Sequence, residues 1–480
     1  MTDNLGGLRG KRLLVLNWRD IRHSQAGGAE FYMHEIARRW VATGIRVTWL
    51  TARESGAPSL EIVDGITIHR AGGALGVYSW TAMRLLVASG QYDAVVDCQN
   101  GIPFFAPLFT RRRMPVIQVV HHVHQDQFAT RFSPAMASLG RFLEDSVSRR
   151  VYAGHALAAV SASTRQELRD RLKVRAPIFV VPNGTADRST VAGERSLDPS
   201  VAVVNRLVPH KRLDLLLNHL GAVACNVPRL RVHIVGDGPE LLRLQRQAVV
   251  LGLSETVVFH GYQPDRVRDA LLREAWLTVS VSAAEGWGCS VVEAAAFGVP
   301  CLGLNVPGIR DSVVHDRTGW LIESGDDVAA AMTRALHQLS DDRFAAQLAA
   351  QCRQWAECFD WDRSAELLAG VVTHEMQTQR LRQSGMPQAR VTRTDLATVV
   401  TFPTAACAVD RSDLHATDQV SHRDGTTSLL LIGCDEVGAH SVLQRLGIRR
   451  AEVRLATRHD VLAGPGALPS TTPRLAREAF

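Results

Sequence analysis

The sequence predicts an α/β protein built from two doubly wound parallel-sheet domains facing a cleft, followed by an appendix of unassigned fold. Three observations carry this. Short continuous apolar runs alternate with helical patterns through the first 360 or so residues. The alternation breaks once, in a polar stretch without periodicity between Thr185 and Pro199. Composition changes after residue 385: from 386 to 480 there is no Trp or Tyr, and the only Phe residues are Phe402 and Phe480.

The first half offers strands at Leu13–Leu16, Val47–Thr51, Ala94–Asp97, Val116–Val120, Leu157–Ser161 and Ile178–Val181. Their apolar residues run on without alternating, the pattern of strands covered on both faces. Between the first two, Met33, Ile36, Ala37, Trp40 and Val41 form one stripe at helical spacing. The second half repeats the scheme with strands at Val201–Val204, Val232–Val235, Val257–Phe259, Leu277–Val281 and Pro300–Leu304, and with helices over Asp214–Val223 and Leu241–Leu251. The expected domains are 1–190, 197–362, a closing helix at 363–385, and an appendix at 386–480. In the appendix a strand at Ser428–Ile432 and a helix through Leu446 are expected, and the end, AGPGALPSTTP, reads as flexible.

Composition narrows the function. With 480 residues, 46% of them hydrophobic and 21% charged, the chain is long enough for two or three packed domains and too apolar for general disorder. No window of eighteen uninterrupted apolar residues suggests a membrane span, and no apolar signal core follows the start, so the expected location is cytoplasmic. The eight cysteines are scattered without a C-x-x-C pair, which argues against a zinc knuckle or a disulfide framework. The net charge of +6 does not indicate a nucleic-acid binder, because the basic residues are dispersed and no reading motif accompanies them. Arg111, Arg112 and Arg113 are the exception. A solvated face is the majority reading of that triplet, and peripheral attraction to an anionic membrane at its inner face is the minority one. Only Lys11, Lys173 and Lys211 are lysines among 54 basic residues, so each draws attention.

Four segments could carry chemistry. The most specific is AEGWGCSVVEAAAFGVP, Ala284–Pro300, which follows a buried strand and opens a helix. Gly286 and Gly288 would let backbone approach a ligand, and the helix start offers free amides to a phosphate. Glu285 and Glu293 are too far apart for a tight dyad and suit two hydroxyl-bearing parts of one extended ligand. Ser290 and Glu293 read equally as a capping box, which would account for Glu293 alone. The second segment, VVNRLVPHKRLDLLL, begins at Val203 and places Arg206 and Lys211 before a helix, where two cations could clamp a diphosphate; singly, each would pass for a surface charge. In the third, SQAGGAEFYMHEI, Gly27 and Gly28 precede a helix, a feature that a phosphate cradle and a tight turn explain about equally. In the fourth, VIQVVHHVHQDQF, His121 stands where a parallel strand ends. His122 and His124 follow, but along an extended strand His122 would point away from both others, and no acidic or cysteine partner has recognisable spacing; a metal site is not expected.

The ordered set AGGAE, VVHH, AVSAST, VVPNG, NRLVPHKR, VGDGPE, FHGY, EGWGCSVVEAAAFGVP and DRTGWL resembles the retaining glycosyltransferases of family 4, with the two-domain GT-B fold, over roughly residues 10–378. The resemblance implies transfer of a sugar from a nucleoside-diphosphate sugar, UDP- or GDP-linked, without a metal or other cofactor, to a glycan, lipid or small-molecule acceptor of the cell envelope. It gives Arg206 and Lys211 the donor diphosphate, Glu285 the transferred sugar, Glu293 the ribose, Gly28 a place by the diphosphate, and His121 a hydrogen bond to the sugar. It adds Gly27, Gly286, Trp287, Gly288 and Cys289 to the donor site, and Tyr262 where backbone holds the base. Two departures stand out: Asn205 replaces the usual glycine before the arginine, and His122 a more usual acidic or small residue. An epimerase of similar fold would want acid and base carboxylates flanking the sugar. A non-catalytic glycan-binding protein would be free to lose Glu285, Arg206 or Lys211, and all three are present. The oligomeric state is not encoded in any of these segments.

Overall fold

The computed structural model describes residues 3–128, 133–186, 194–384 and, with short interruptions, 396–457. The chain forms two compact units, one made of Met1–Gly184 with Trp361–Phe480 and the other of Thr185–Asp360.

The first unit contains an eight-stranded sheet built from β1 (Arg12–Leu16), β2 (Arg46–Ala52), β3 (Leu60–Val63), β4 (Ile66–Ala71), β5 (Ala94–Gln99), β6 (Val116–Val120), β7 (Leu157–Ala159) and β8 (Ile178–Val180). The order is β3-β4-β2-β1-β5-β6-β7-β8, and all neighbours are parallel except β3 and β4. That antiparallel pair is absent from the sequence reading. Its two-residue turn, Asp64-Gly65, has both residues at positive φ (48° and 78°), the signature of a type I′ hairpin. The central strands β5 and β6 are buried along their whole length, as continuous apolar runs require. The helix Gly28–Ala42 turns the predicted stripe inward: Met33, Ile36, Ala37 and Trp40 are fully buried.

The second unit carries β9 (Ser200–Val204), β10 (Arg231–Val235), β11 (Val257–Gly261), β12 (Thr278–Ser280), β13 (Cys301–Leu304) and β14 (Gly319–Ile322). Two three-stranded parallel sheets, β11-β10-β9 and β12-β13-β14, are joined by a parallel bridge between Val201 and Leu277 and by the bond from Ala202 N–H to the Leu277 carbonyl at 3.1 Å. The result is the doubly wound order 3-2-1-4-5-6, whose direction reverses between β9 and β12. The helix Leu213–Asn226 buries Leu216, Leu217, Leu220 and Val223 against this sheet, each worth roughly 1.5–3 kcal/mol of burial.

Two expectations need correction here. The polar stretch after Thr185 is not a free linker in its described second part: the Ser196 carbonyl accepts from Trp276 Nε1 at 2.8 Å, and the Arg195 guanidinium lies 4.0 Å over the Trp276 ring. The appendix holds more than a strand and a helix. It forms a four-stranded antiparallel sheet, β16-β17-β15-β18, from β15 (Leu396–Pro403), β16 (Gln419–Arg423), β17 (Thr426–Ile432) and β18 (Glu452–Thr457). The helix Glu436–Arg445 covers one face through Ala439 and Leu443. The sheet also packs on the long helix Trp361–Gln383, where a Cβ on Gly370 would stand 3.3 Å from Leu396 Cδ1. That helix is in turn fastened by Glu375, which accepts from Ala156 N–H at 2.9 Å and lies 2.8 Å from His155 Nδ1. The segment AGPGALPSTTP lies outside the described residues.

Candidate functional site

In a doubly wound sheet, the loops at the strand carboxyl ends on either side of the order reversal form a crevice. In the second unit those loops follow β9 and β12. The first carries Arg206 and Lys211; the second carries Glu285 through Gly288. Lys211 Nζ meets Glu285 Oε1 at 2.5 Å, both side chains being largely shielded from solvent. The loops are also joined by backbone, from Ala283 N–H to the His210 carbonyl at 2.9 Å. Arg206 is exposed and projects from the same loop as Lys211.

Glycines make this arrangement possible. Gly236 has φ +134°, and a Cβ there would stand 1.8 Å from the Asn205 carbonyl oxygen; at Gly238 it would stand 2.3 Å from that of Leu207. The VGDG turn after β10 is thus packed directly on the backbone that presents Arg206. The bonds from Asn205 N–H to Val235 O (3.0 Å) and from Leu207 N–H to Asp237 O (2.9 Å) fix it there. The Gly236 N–H donates to the Gly261 carbonyl at 2.8 Å, which brings in the FHGY turn. Gly308, at φ +80°, plays the matching part for Glu285: a Cβ would lie 2.4 Å from its carbonyl oxygen. Gly308 had no place in the sequence reading.

The helix Cys289–Ala296 begins with Gly288 as its N-cap and without a side-chain cap. The expected Ser290–Glu293 capping box is therefore not formed: Ser290 already lies inside the helix, and Glu293 falls in its second turn rather than its first. The cap position admits no side chain, since a Cβ on Gly288 would come within 2.3 Å of Ser312 Oγ. Burial, followed by the charges of Glu293 and Glu285, pushes the Cys289 thiol up to about 12, with Lys211 opposing. Cys289 is thus unreactive at neutral pH and surrounded by the three groups singled out from sequence. Arg268 is held above its usual range against its own desolvation, by Glu293 first and then by Asp265 and Asp269. This makes Arg268 a neighbour of Glu293 that sequence spacing gave no means to find. Trp287 is buried with its ring 4.9 Å from Phe359, and Tyr262 is 78% exposed.

The first unit has its own order reversal, between β1 and β5. Gly27 caps the helix Gly28–Ala42 at φ −145°, and neither it nor Gly28 is at positive φ, so a tight turn is not what requires the pair. The Gly27 N–H donates to Glu30 Oε2 at 2.8 Å, and Asn100 Nδ2 reaches Glu30 Oε1 at 3.2 Å and Asn17 Oδ1 at 2.8 Å. Asn17, Glu30 and Asn100 were missed by sequence reading, though Asn17 stands just past the predicted strand Leu13–Leu16 and Asn100 directly follows the observed β5. His121 follows β6 directly. It is buried, its ring meets Tyr32 edge-on at 5.1 Å, and its Nε2 has no hydrogen-bond partner among the described residues. Burial, with a smaller push from His124, lowers its pKa to about 3, so the imidazole is neutral at physiological pH.

The histidines that follow depart from expectation. The chain leaves the strand at Val120, so His122 does not point away from His124; their rings meet at 5.2 Å. An acidic partner also exists, far off in sequence. Glu144, buried in a π-helical turn, accepts from His124 N–H at 2.7 Å and from Gln125 Nε2 at 2.8 Å. Its role is to hold the loop that begins at His121. Among the described residues no group of three or more His, Cys, Asp or Glu is placed to hold a metal ion.

Comparison with known proteins bears on this geometry directly. Residues 26–187 match the sequence profile of Glycosyltransferase Family 4, and residues 189–357 match that of Glycosyl transferases group 1. The chain belongs to glycosyltransferase family 4. This family-4 chain is 27% identical over 405 residues to a D-inositol 3-phosphate glycosyltransferase of Streptomyces avermitilis, covering 74% of this chain and 85% of that protein. It is 35% identical over 189 residues to a GDP-mannose-dependent alpha-(1-6)-phosphatidylinositol monomannoside mannosyltransferase of Mycolicibacterium smegmatis, covering 36% and 48%. In fold it is similar to a sucrose-phosphate synthase from Thermosynechococcus elongatus, at TM-score 0.60 and 19% identity over 78% of this chain and all of that one. It is also similar to Anabaena HepE in complex with UDP and glucose, at TM-score 0.57 and 18% identity with the same coverage. The fold is GT-B. Both profiles end before the appendix, which no part of the family resemblance includes.

Proposed function

We propose that this family-4 chain is a retaining glycosyltransferase that moves a sugar from a nucleoside-diphosphate sugar to a cell-envelope, glycolipid or polysaccharide acceptor, without a metal ion. The observation that carries the reading is the meeting of Lys211 and Glu285 at the order reversal of the second sheet, with Arg206 on the same loop as Lys211. Arg206 and Lys211 supply positive charge where a diphosphate would leave, the electrostatic task otherwise given to a divalent cation. When phosphates engage Lys211, Glu285 is released to accept hydrogen bonds from sugar hydroxyls. Glu293 takes the ribose, and the amides at the start of the Cys289–Ala296 helix face the phosphates.

In the first unit the unpartnered Nε2 of neutral His121 supports a hydrogen bond to the transferred sugar, because a buried polar atom without a partner costs free energy until a ligand supplies one. The sugar C1–oxygen bond breaks with its electron pair leaving on the diphosphate, the acceptor hydroxyl oxygen joins C1 on the same face, and the proton of that hydroxyl passes to the departing phosphate oxygen. A relative named for GDP-mannose and a fold neighbour holding UDP support a UDP- or GDP-linked donor. On this reading the chain works in the cytoplasm, and peripherally at the inner face of the membrane where its acceptor is lipid-borne.

The test is donor turnover in the presence of EDTA, with UDP- and GDP-linked sugars and proton NMR of the released or transferred sugar. Retention predicts that an α-linked donor first gives the α-anomer. An inverted first product, or turnover only with added magnesium, overturns the mechanism.

A further inference from the structure

The helix Gly73–Ala88 of the first unit is apolar on two faces. Val77 and Leu85 are fully buried against the sheet, as any surface helix requires. The opposite face carries Leu75, Met83, Leu86 and Val87, which are 84, 67, 67 and 80% exposed. At 100° per residue these four span about 120° of the helix surface. The neighbouring short helix Ala106–Phe109 packs beside it and adds Leu108, 59% exposed. Single exposed leucines are ordinary, but five large apolar side chains on adjoining helices form a patch that calls for a partner.

The charges beside the patch state what kind of partner. Between Gly72 and Tyr92 there is no acidic residue. Arg84 is exposed on the helix itself. The Arg111 guanidinium lies against Gly90, just past the helix end, where a Cβ would stand 2.2 Å from its central carbon. Arg112 and Arg113 follow, both exposed. None of the four arginines takes part in an ion pair among the described residues. Two copies meeting through this face would add like charges at its edge. An acyl layer beneath a sheet of phosphates satisfies both parts at once, with the apolar side chains entering the headgroup boundary and the guanidinium groups at the phosphates.

We propose that the outer face of the Gly73–Ala88 helix, with Leu108 and the Arg111–Arg113 triplet, docks the chain on an anionic lipid bilayer. This gives the majority reading of the triplet, a merely solvated face, a specific alternative. It deepens the proposed function by naming the surface that would bring the chain to a lipid-borne acceptor. It is measured without any donor, so it can fail while sugar transfer stands.

The experiment is flotation of the full chain with vesicles of phosphatidylcholine alone or mixed with phosphatidylglycerol, together with size-exclusion light scattering. Wild type is expected to float with the mixed vesicles only, and less so as salt rises. L75E/L86E should abolish flotation. R111S/R112S/R113S should lower the partition roughly a hundredfold, taking each arginine as about fivefold. The leucines and the triplet are exposed, so an unchanged melting midpoint in each variant shows that folding is intact. Absence of flotation in folded wild type overturns the proposal, as does flotation that survives both sets of substitutions. A wild-type dimer dispersed by L75E/L86E, with no vesicle binding, makes the face a contact between copies and overturns it as well.

Discussion

Substituting His121 by Phe separates the cost of a buried histidine from its use. The wild-type imidazole is held to about 3 by burial and by His124, against an ordinary value of 6.5. A histidine whose folded pKa is depressed is neutral in the fold and charged in the unfolded chain at mildly acid pH. Its contribution is therefore intact above about 6.5 and is lost as pH falls toward 3. At pH 5 the unfolded imidazole gains a proton that the folded one cannot, which costs about 2 kcal/mol, from 1.5 pH units at 1.36 kcal/mol each. Asp97, raised to about 6 chiefly by burial, works in the other direction, favouring the fold below that pH. It is common to both proteins and cancels in the comparison. Phe keeps an edge for Tyr32 and removes the unpartnered Nε2, so His121→Phe should match or exceed wild type in stability at pH 7.5. The melting midpoints of the two proteins, followed from pH 7.5 to 5.0, should diverge by several degrees as wild type loses stability faster. Transfer should be abolished in the variant throughout. Parallel curves would show that His121 is not neutral by burial and would remove the physical basis for its assigned role.

Three further outcomes follow from the geometry. Gly236→Ala places a methyl against the Asn205 carbonyl at a backbone angle reserved for glycine, at a cost of about 1–3 kcal/mol; the melting point should fall and any stabilisation by nucleotide should disappear. Lys211→Met and Glu285→Gln should each destabilise by about 1–3 kcal/mol, because each leaves a shielded partner unsatisfied. The double variant should lose less than the sum by about 1–2 kcal/mol, and strictly additive losses would mean that the pair is not formed. Truncation after Ser384 removes the sheet that packs on the Trp361–Gln383 helix, together with the Arg169–Asp435 pair at 3.4 Å. The packing predicts a lower melting point for the first unit, seen by calorimetry, and an unchanged melting profile would show that the appendix does not stabilise it.

The legible parts were those where one residue type fixes the backbone. Buried parallel strands announce themselves as continuous apolar runs, and β1, β5, β6, β9 and β10 fall where such runs stand. The hairpin at Asp64-Gly65 was equally legible in principle, since Asp-Gly between ITIH-like alternation is a strong turn signal. The appendix was obscured because β16 and β18 are short edge strands rich in polar residues, with no apolar run of their own. At the site, the loops were legible and the contacts were not. Nothing in the spacing shows that Gly308 seats Glu285, that Arg268 faces Glu293, or that Glu144 holds the loop after His121, because each pair is brought together only by folding. The capping box failed for a related reason: S-x-x-E marks a helix start only if the chain is free to begin there, and the close fit of Gly288 against Ser312 starts the helix two residues earlier.

The central claim is that the second unit binds the diphosphate of a nucleotide-linked sugar through Lys211. Thermal shift of the full chain against UDP, GDP, ADP, TDP and CMP, with and without magnesium, tests it most directly. One nucleoside diphosphate should raise the melting midpoint of wild type equally in both conditions, and Lys211→Ala should lose that response while remaining folded. A folded wild-type protein that responds to none of them, or a Lys211→Ala variant that responds as wild type does, contradicts the account.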